Sequence, residues 1–342
     1  MADQPSRPVS TQMPMMTDAH RASRTRLDTM IGQVIDGDFE IVKAVGTGSH
    51  ADVYQAKQIS LGNRTVALKV LSRLYVNLSE ADFRKACNAL TREGELLGAL
   101  HAACFCDVYR SGVLADQRPY IALEFAEGRT LAEIAKRGEP LDFIKVVDLL
   151  QQWADGLAEL HERSLVHRDV TPANAVVAES VFGTQRLQIY DFGTVTPING
   201  RADRHRAGFD LERPMGTPAY MSPEQATGGI VDGRADQYAL AAIGYELLTT
   251  KRPVAVDHKS AANVLDYLRS TGPIPVESFG QLRPDLPPVV ERIFHAALDR
   301  NPERRFGDIQ QFARALQRAA REMAPPAQKT GIISRFFGGG RK

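Results

Sequence analysis

Four stretches of the 342-residue chain carry residue types able to handle phosphate. In LVHRDVTPANAVV, His167, Arg168 and Asp169 are followed five residues later by Asn174, and QIYDFG places Asp191 at the end of an expected strand. An aspartate that accepts a hydroxyl proton, with amide and carboxylate oxygens to hold Mg2+, is what in-line phosphoryl transfer needs. The apolar flanks LVH and NAVV would keep water from that loop. Upstream, VGTGSHADVY spaces Gly46 and Gly48 two apart after the strand-like run FEIVKAV. Glycines so spaced turn tightly and bring N–H groups against phosphate oxygens, although a plain hairpin turn has the same pattern. No helical pattern follows and no GK[ST] is present, which excludes the dinucleotide fingerprint and the Walker loop. Lys69 interrupts the apolar strand VALKV. It is either an edge-strand charge or a cation facing a ligand, and in the second case Glu93 is the natural anion.

The elements that must position these residues change character once. From Phe39 to about Phe125, β-rich runs dominate (FEIVKAV, DVYQAKQI, TVALKVL, PYIALEF), interrupted by one helical stretch from roughly Glu80 to Leu100. After Arg129 the pattern is mainly helical, with Ile144, Val147, Leu150, Trp153, Leu157 and Leu160 forming one stripe. A small β-rich lobe followed by a larger helical lobe predicts a ligand-binding cleft between them. The 42 basic and 41 acidic side chains leave a net charge of +1, which argues against a nucleic-acid-coating surface. Cys87, Cys104 and Cys106 make neither a disulfide framework nor a paired CxxC, so they are expected to be reduced, apolar thiols. No apolar run approaches the ~18 residues of a membrane helix, and the first residues lack a secretory core. A cytoplasmic protein without stable membrane insertion is expected.

Taken in order, Gly46-x-Gly48-x-x-Ala51-x-Val53, Val66-Ala67-Leu68-Lys69, Glu93, His167-Arg168-Asp169, Asn174, Asp191-Phe192-Gly193 and Ser222-Pro223-Glu224 follow the protein-kinase signature set. From about Gly32 to about Arg321 the chain resembles a eukaryotic-type (Hanks-type) serine/threonine protein kinase of the bacterial branch. GTPAYMSPEQ, DGRADQYALAAIGYELLT and NPERR extend the resemblance. It implies an α+β, two-lobed protein-kinase fold: a small antiparallel β-rich N-lobe with one main helix, and a larger, mainly helical C-lobe. The implied organisation is an N-terminal arm (1–31), a kinase domain (32–322; N-lobe to about 125, C-lobe from about 129) and a C-terminal tail (323–342).

The implied activity is transfer of the ATP γ-phosphate to Ser/Thr hydroxyls of a protein substrate, with Mg2+ or Mn2+. By the same resemblance Val45, Gly46, Thr47, Gly48, Ser49, His50, Ala51, Asp52 and Val53 would cover the ATP phosphates. Lys69 would hold the α/β phosphates while paired to Glu93. Leu123 would guard the back of the adenine pocket, Glu124 to Ala126 would form the hinge, and Val53, Ala67 and Val176 would sandwich the base. Asp169 would be the catalytic base, next to Arg168, with Asn174 and Asp191 on the metal. Leu97, His167 and Phe192 would form an apolar column anchored by Asp236, and Glu224 would pair with Arg305.

The departures from the pattern matter as much. Ala51 replaces the third glycine of the loop, which is tolerable if φ stays negative. The stretch from Lys69 to Glu93 is long, which leaves Glu95 as a competitor on another helix face. Thr171 stands where the family places a lysine that steadies the transferring phosphate. Losing a charge-assisted hydrogen bond could slow transfer by roughly 10- to 100-fold. The activation segment, Asp191 to Glu224 with Phe192, Gly193 and Thr217, has no Ser, Thr or Tyr from Pro197 through Gly216. Asp210 or Glu212 could replace a phosphate there, or a regulatory partner protein could set the loop. These departures also suit an alternative, a nucleotide-binding pseudokinase scaffold. A small-molecule kinase is a further rival, opposed by the protein-substrate platform GTPAYMSPEQ. The arm is expected to be a solvated tail, with Thr17, Ser23, Thr25 and Thr29 among Arg21, Arg24 and Arg26 suiting a phosphorylated or partner-binding arm as the alternative. The C-terminal tail carries a small apolar cluster, Ile332, Ile333, Phe336 and Phe337, suited to docking. With no sensor domain or span before residue 342, control is expected from inside the cell.

Overall fold

In the computed structural model, residues 29–47, 50–179, 184–198, 217–254, 260–270 and 277–323 are described. They divide into two compact units, one comprising residues up to 95 with 107–125, the other 96–106 with the chain from 126 onward. The division is therefore not the single break near 125 expected from the pattern change, because 96–106 belong with the second unit.

The first unit holds strands β1 (Val34–Ile35), β2 (Phe39–Thr47), β3 (Ala51–Gln58) and β4 (Arg64–Leu71). Most of helix α1 (Glu80–Gly98), β5 (Val108–Val113) and β6 (Pro119–Glu124) complete it. The strands form one antiparallel sheet in the order β1-β2-β3-β4-β6-β5. Because side chains alternate across a strand, the register sorts them onto two faces. Tyr54, Ala56, Val66, Leu68, Val70, Tyr120 and Ala122 share one face and, with Phe39 and Ile41, make a buried core. Val53, Ala67, Lys69, Ile121 and Leu123 share the other. Met30 is buried in that core and Gly32 N–H donates to Ile41 C=O, so the ordered domain begins before the expected end of the arm at residue 31. The rest of the arm and the C-terminal tail lie outside the described residues.

The second unit contains β7 (Gly128–Thr130), α2 (Leu131–Ala135), α3 (Phe143–Glu162), β8 (Leu165–Val166), β9 (Ala175–Glu179), β10 (Gln185–Ile189) and β11 (Thr196–Pro197). Beyond these come α4 (Pro223–Ala226), α5 (Gly233–Thr249), α6 (Ala261–Arg269), α7 (Phe279–Leu282), α8 (Pro288–Ala297) and α9 (Ile309–Met323). Strands β10, β9 and β7 form a small antiparallel sheet, and β11 pairs with β8. Of these short strands β10 was expected from the run before Asp191, whereas the others had no run long enough to announce them. Helix α3 starts where Asp142 accepts from the Lys145 N–H, satisfying one orphan donor of the first turn. Trp153, Leu157 and Leu160 are fully buried, but Ile144 is 48% exposed. Phe143 and Val146 are buried at that end instead, so the expected stripe is rotated at its start. Aromatic contacts run from Tyr245 through Phe279 and Phe294 to Phe312, tying α5, α7, α8 and α9 together. Among the described residues no helix is long and apolar enough to cross a membrane.

Candidate active site

Lys69 sits mid-strand in β4, on the sheet face opposite the aromatic core. Its Nζ donates to Glu93 Oε1 at 2.6 Å, and both side chains are largely shielded from water. Glu93 is selected by helix phase: it is buried on α1 while Glu95 is exposed. Gly94 explains how α1 comes close enough, since a Cβ there would lie 3.1 Å from Ile121 Cδ1 on the same sheet face. A buried pair of this kind leaves a charge uncompensated if either member is removed.

The loop side of this unit is built by β2 and β3. Gly46 pairs with Val53 and Thr47 with Asp52, after a register shift between Ala44 and Gly46. Val45 is exposed and Asp52 buried. Ala51 begins β3 opposite Leu71, is buried, and is not among the described residues with positive φ, so its methyl is accommodated. The His50 carbonyl accepts from Ser72 N–H at 2.9 Å, and its ring stacks on Tyr75 at 5.7 Å. Gly48 and Ser49 lie outside the described residues. Leu123 is buried beside Ala67, and Glu124 N–H donates to Asp107 C=O.

In the second unit, Asp236 organises the loop that carries Asp169. Asp236 stands in the first turn of α5, fully buried. Its carboxylate accepts from the backbone N–H of His167 at 2.9 Å and of Arg168 at 2.8 Å, and contacts His161 Nε2 at 2.9 Å. Burial pushes this carboxyl up, yet the bonds and charge of His161 and His167 outweigh it and hold the group below its ordinary value. These bonds hold Arg168 at φ 68°, left-handed backbone that a non-glycine residue rarely adopts. Asp191 also has a positive φ, 67°. The buried His167 ring packs 5.1 Å from Phe192, which in turn meets Phe105 at 5.1 Å. Leu97 is buried in this unit, and Phe105 joins the group without any sequence signal.

Asp169 is gripped from two directions. Asn174 Nδ2 donates to the Asp169 carbonyl at 3.0 Å and to Oδ2 at 3.4 Å. Thr217 donates its N–H at 2.7 Å and its hydroxyl at 2.9 Å to Oδ1. Tyr190 N–H donates to the Asn174 carbonyl, which ties the segment carrying Asp191 to the Asn174 loop, and Gly193 N–H donates to Asp191 Oδ1 at 3.3 Å. Glu224 and Arg305 form a bidentate pair at 2.7 and 2.8 Å. Val176 is half-buried in β9. In the expected hinge, the Ala126 N–H donates to the Tyr190 hydroxyl at 2.8 Å.

Over residues 39–318 the chain matches the protein kinase domain. It belongs to the protein kinase domain family. It is 34% identical over 304 residues to Serine/threonine-protein kinase Pkn1 of Myxococcus xanthus, covering 89% of this chain and 41% of that protein. It is 31% identical over 278 residues to Serine/threonine-protein kinase PrkC of Bacillus subtilis, covering 81% of this chain and 40% of that one. With Serine/threonine-protein kinase PknA of Mycobacterium tuberculosis the identity is 30% over 301 residues, 87% of this chain and 65% of that protein. The chain thus spans about two fifths of the first two relatives and less than two thirds of the third.

Within this kinase domain Thr171 is buried, with its carbonyl accepting from the Asn174 N–H at 3.0 Å. Asp210 and Glu212, the expected substitutes for a loop phosphate, lie outside the described residues. Sequence reasoning did not find the grip of Thr217 on Asp169 or the role of His161 beside Asp236. Both link residues far apart in the chain, and only their common types could have hinted at it.

Proposed function

We propose that the chain is an ATP- and Mg2+-dependent protein serine/threonine kinase. The observation that carries this reading is the Asp169 carboxylate: among the described residues Oδ1 is held by Thr217 while Oδ2 receives one long bond, from Asn174. Oδ2 is therefore the oxygen suited to accept the proton of a substrate hydroxyl as its oxygen forms a bond to the γ-phosphorus and the bond to the ADP oxygen breaks. Lys69, held by Glu93, is a cation for the α/β phosphates, and the turn from Val45 to Val53 supplies backbone N–H groups to the phosphates. The names of the relatives support Ser/Thr as the acceptor class.

The donor set suits the metal. The Asn174 amide oxygen and the Asp191 carboxylate are hard oxygen ligands of the kind Mg2+ takes, with phosphate and water completing its shell. When bound, the metal neutralises charge building on the phosphates. The protein's own contribution is to aim these oxygens: Asn174 spends its amide N–H on Asp169, which leaves its amide oxygen for a cation.

The test is divalent-dependent phosphorylation of the chain itself or of a Ser/Thr peptide. Asp169→Asn keeps the size and removes the base, so the rate should fall by about 100-fold or more. A variant that transfers phosphate as fast as the wild type would refute the assignment.

A further inference from the structure

A charged cluster lies one short turn beyond the residue that grips Asp169. After Thr217, Pro218–Tyr220 form a single 3-10 turn in which Tyr220 N–H donates to the Thr217 carbonyl at 3.0 Å. Tyr220 is buried, and its hydroxyl donates to Glu246 Oε2 at 2.5 Å. Glu246, near the end of α5, accepts at its other oxygen from Arg252 Nε at 3.1 Å. The Arg252 guanidinium also lies 5.4 Å from the centre of the Tyr220 ring, within cation–π range.

The cluster is asymmetric toward solvent. The Arg252 side chain keeps 32% of its surface exposed against 13% for Glu246. Burial, and then the neighbouring Glu246 charge, push the Tyr220 hydroxyl well above its ordinary value, so it stays protonated and adds no negative charge. Glu246 spends both oxygens inside the cluster, and Arg252 is the more exposed of its two charged side chains. The backbone fixes it there: Thr250 adopts a left-handed φ of 63°, and the Thr249 hydroxyl donates to the Tyr245 carbonyl and accepts from Lys251 N–H. The neighbouring cation, Lys251, is paired with Glu277 at 2.6 Å.

We infer that Arg252 is a specificity-determining residue that selects an acidic over a basic side chain on the substrate, within about five residues of the phosphoacceptor. The inference rests on the kinase reading above, because Asp169 marks where the acceptor hydroxyl binds. A 3-10 turn advances about 2 Å per residue, which together with the tyrosine ring puts Arg252 roughly 15 Å from Asp169. An extended peptide covers that span in about four or five residues. A partly exposed guanidinium–carboxylate pair contributes up to about fivefold in affinity. A lysine or arginine at the same place meets a like charge and a carboxylate already occupied.

The test scans a peptide with one Ser/Thr acceptor, placing Asp, Ala or Lys in turn at each position up to five residues on either side. The ratio of kcat/KM for the Asp and Lys peptides is read for the wild-type chain, Arg252→Gln and Arg252→Lys. The wild type should favour Asp over Lys about fivefold at one position in that range, and less so in high salt. Arg252→Gln should level or reverse the ratio as Glu246 is released to attract cations, while Arg252→Lys should retain part of it. A purely structural role would lower all the rates together and leave the ratio unmoved. An active wild type with a flat or lysine-favouring profile at every position overturns the inference, and that scan decides even if Arg252→Gln does not fold. A wild type that phosphorylates neither peptide nor itself overturns the kinase reading, and this inference with it.

Discussion

Thr171 is the residue at which the chain departs in charge from the kinase pattern that its sequence resembles. It is buried two residues from Asp169, and its backbone helps set the turn that aims Asn174. The side chain offers a hydroxyl where the family places a cation, so a transferring phosphoryl group loses a charge-assisted partner of about 1.5–3 kcal/mol. Thr171→Lys should therefore raise the turnover number, by about tenfold once the cost of bringing a cation into a buried position is set against the gain. Steady-state kinetics with saturating ATP measures this, and an unchanged or lower turnover number would count against a missing cation as the rate limitation. Residue types carried much of the candidate site: Lys69, Glu93, Asp169, Asn174 and Asp191 could all be picked out by type and spacing. The hydrogen bonds of Thr217 to Asp169 and of Ala126 to Tyr190 could not, because they join residues 48 and 64 positions apart. Spacing reports which side chains share a strand or helix face, and nothing in it fixes a contact made across folded segments.

At the scale of elements, α5 does for the second unit what β4 and α1 do for the first. Its first turn brings Asp236 to three donors, and Gly233 makes room, since a Cβ there would lie 2.6 Å from His161 Nδ1. Long elements such as α3 and α5 were legible from apolar spacing, because burial of one face is what stabilises a helix. The pairs β7–β9 and β8–β11 were not, as strands of two to five residues carry too few alternations to be seen. The charge on Asp236 gives this element a pH signature. A carboxylate held below its ordinary value contributes stability that is fully present above about pH 4. That stability is lost as pH falls through the lower native value. Asp236→Asn should cost about 1.5–3 kcal/mol at pH 7, and the gap to the wild type should narrow below about pH 4. Urea unfolding at pH 7 and in acid measures both, and a gap that is constant with pH would show that the charge does not stabilise the loop.

For the whole molecule, the decisive question is how nucleotide, metal and catalysis couple, since a scaffold that binds ATP and an enzyme that uses it share most of these residues. Anything that binds only the folded chain stabilises it by mass action, about 2.7 kcal/mol at a hundred times its Kd. For a chain of this size that is a rise in Tm of roughly 4 °C. ADP with Mg2+ should produce such a shift by scanning calorimetry, and chelating the metal with EDTA should remove much of it. Asp191→Ala should abolish the metal-dependent part, since its carboxylate is one of two protein oxygens proposed for the cation. Lys69→Ala should weaken the shift with and without metal, because it also leaves Glu93 buried without its cation. Asp169→Asn should keep the full shift while losing phosphoryl transfer, which separates binding from chemistry in a single substitution. If the wild type shows the shift but transfers no phosphate under any divalent ion, the chain binds nucleotide as a scaffold and Thr171 marks the loss of the reaction. If transfer and shift both depend on Asp191 while only transfer depends on Asp169, the two aspartates have the separate roles assigned to them.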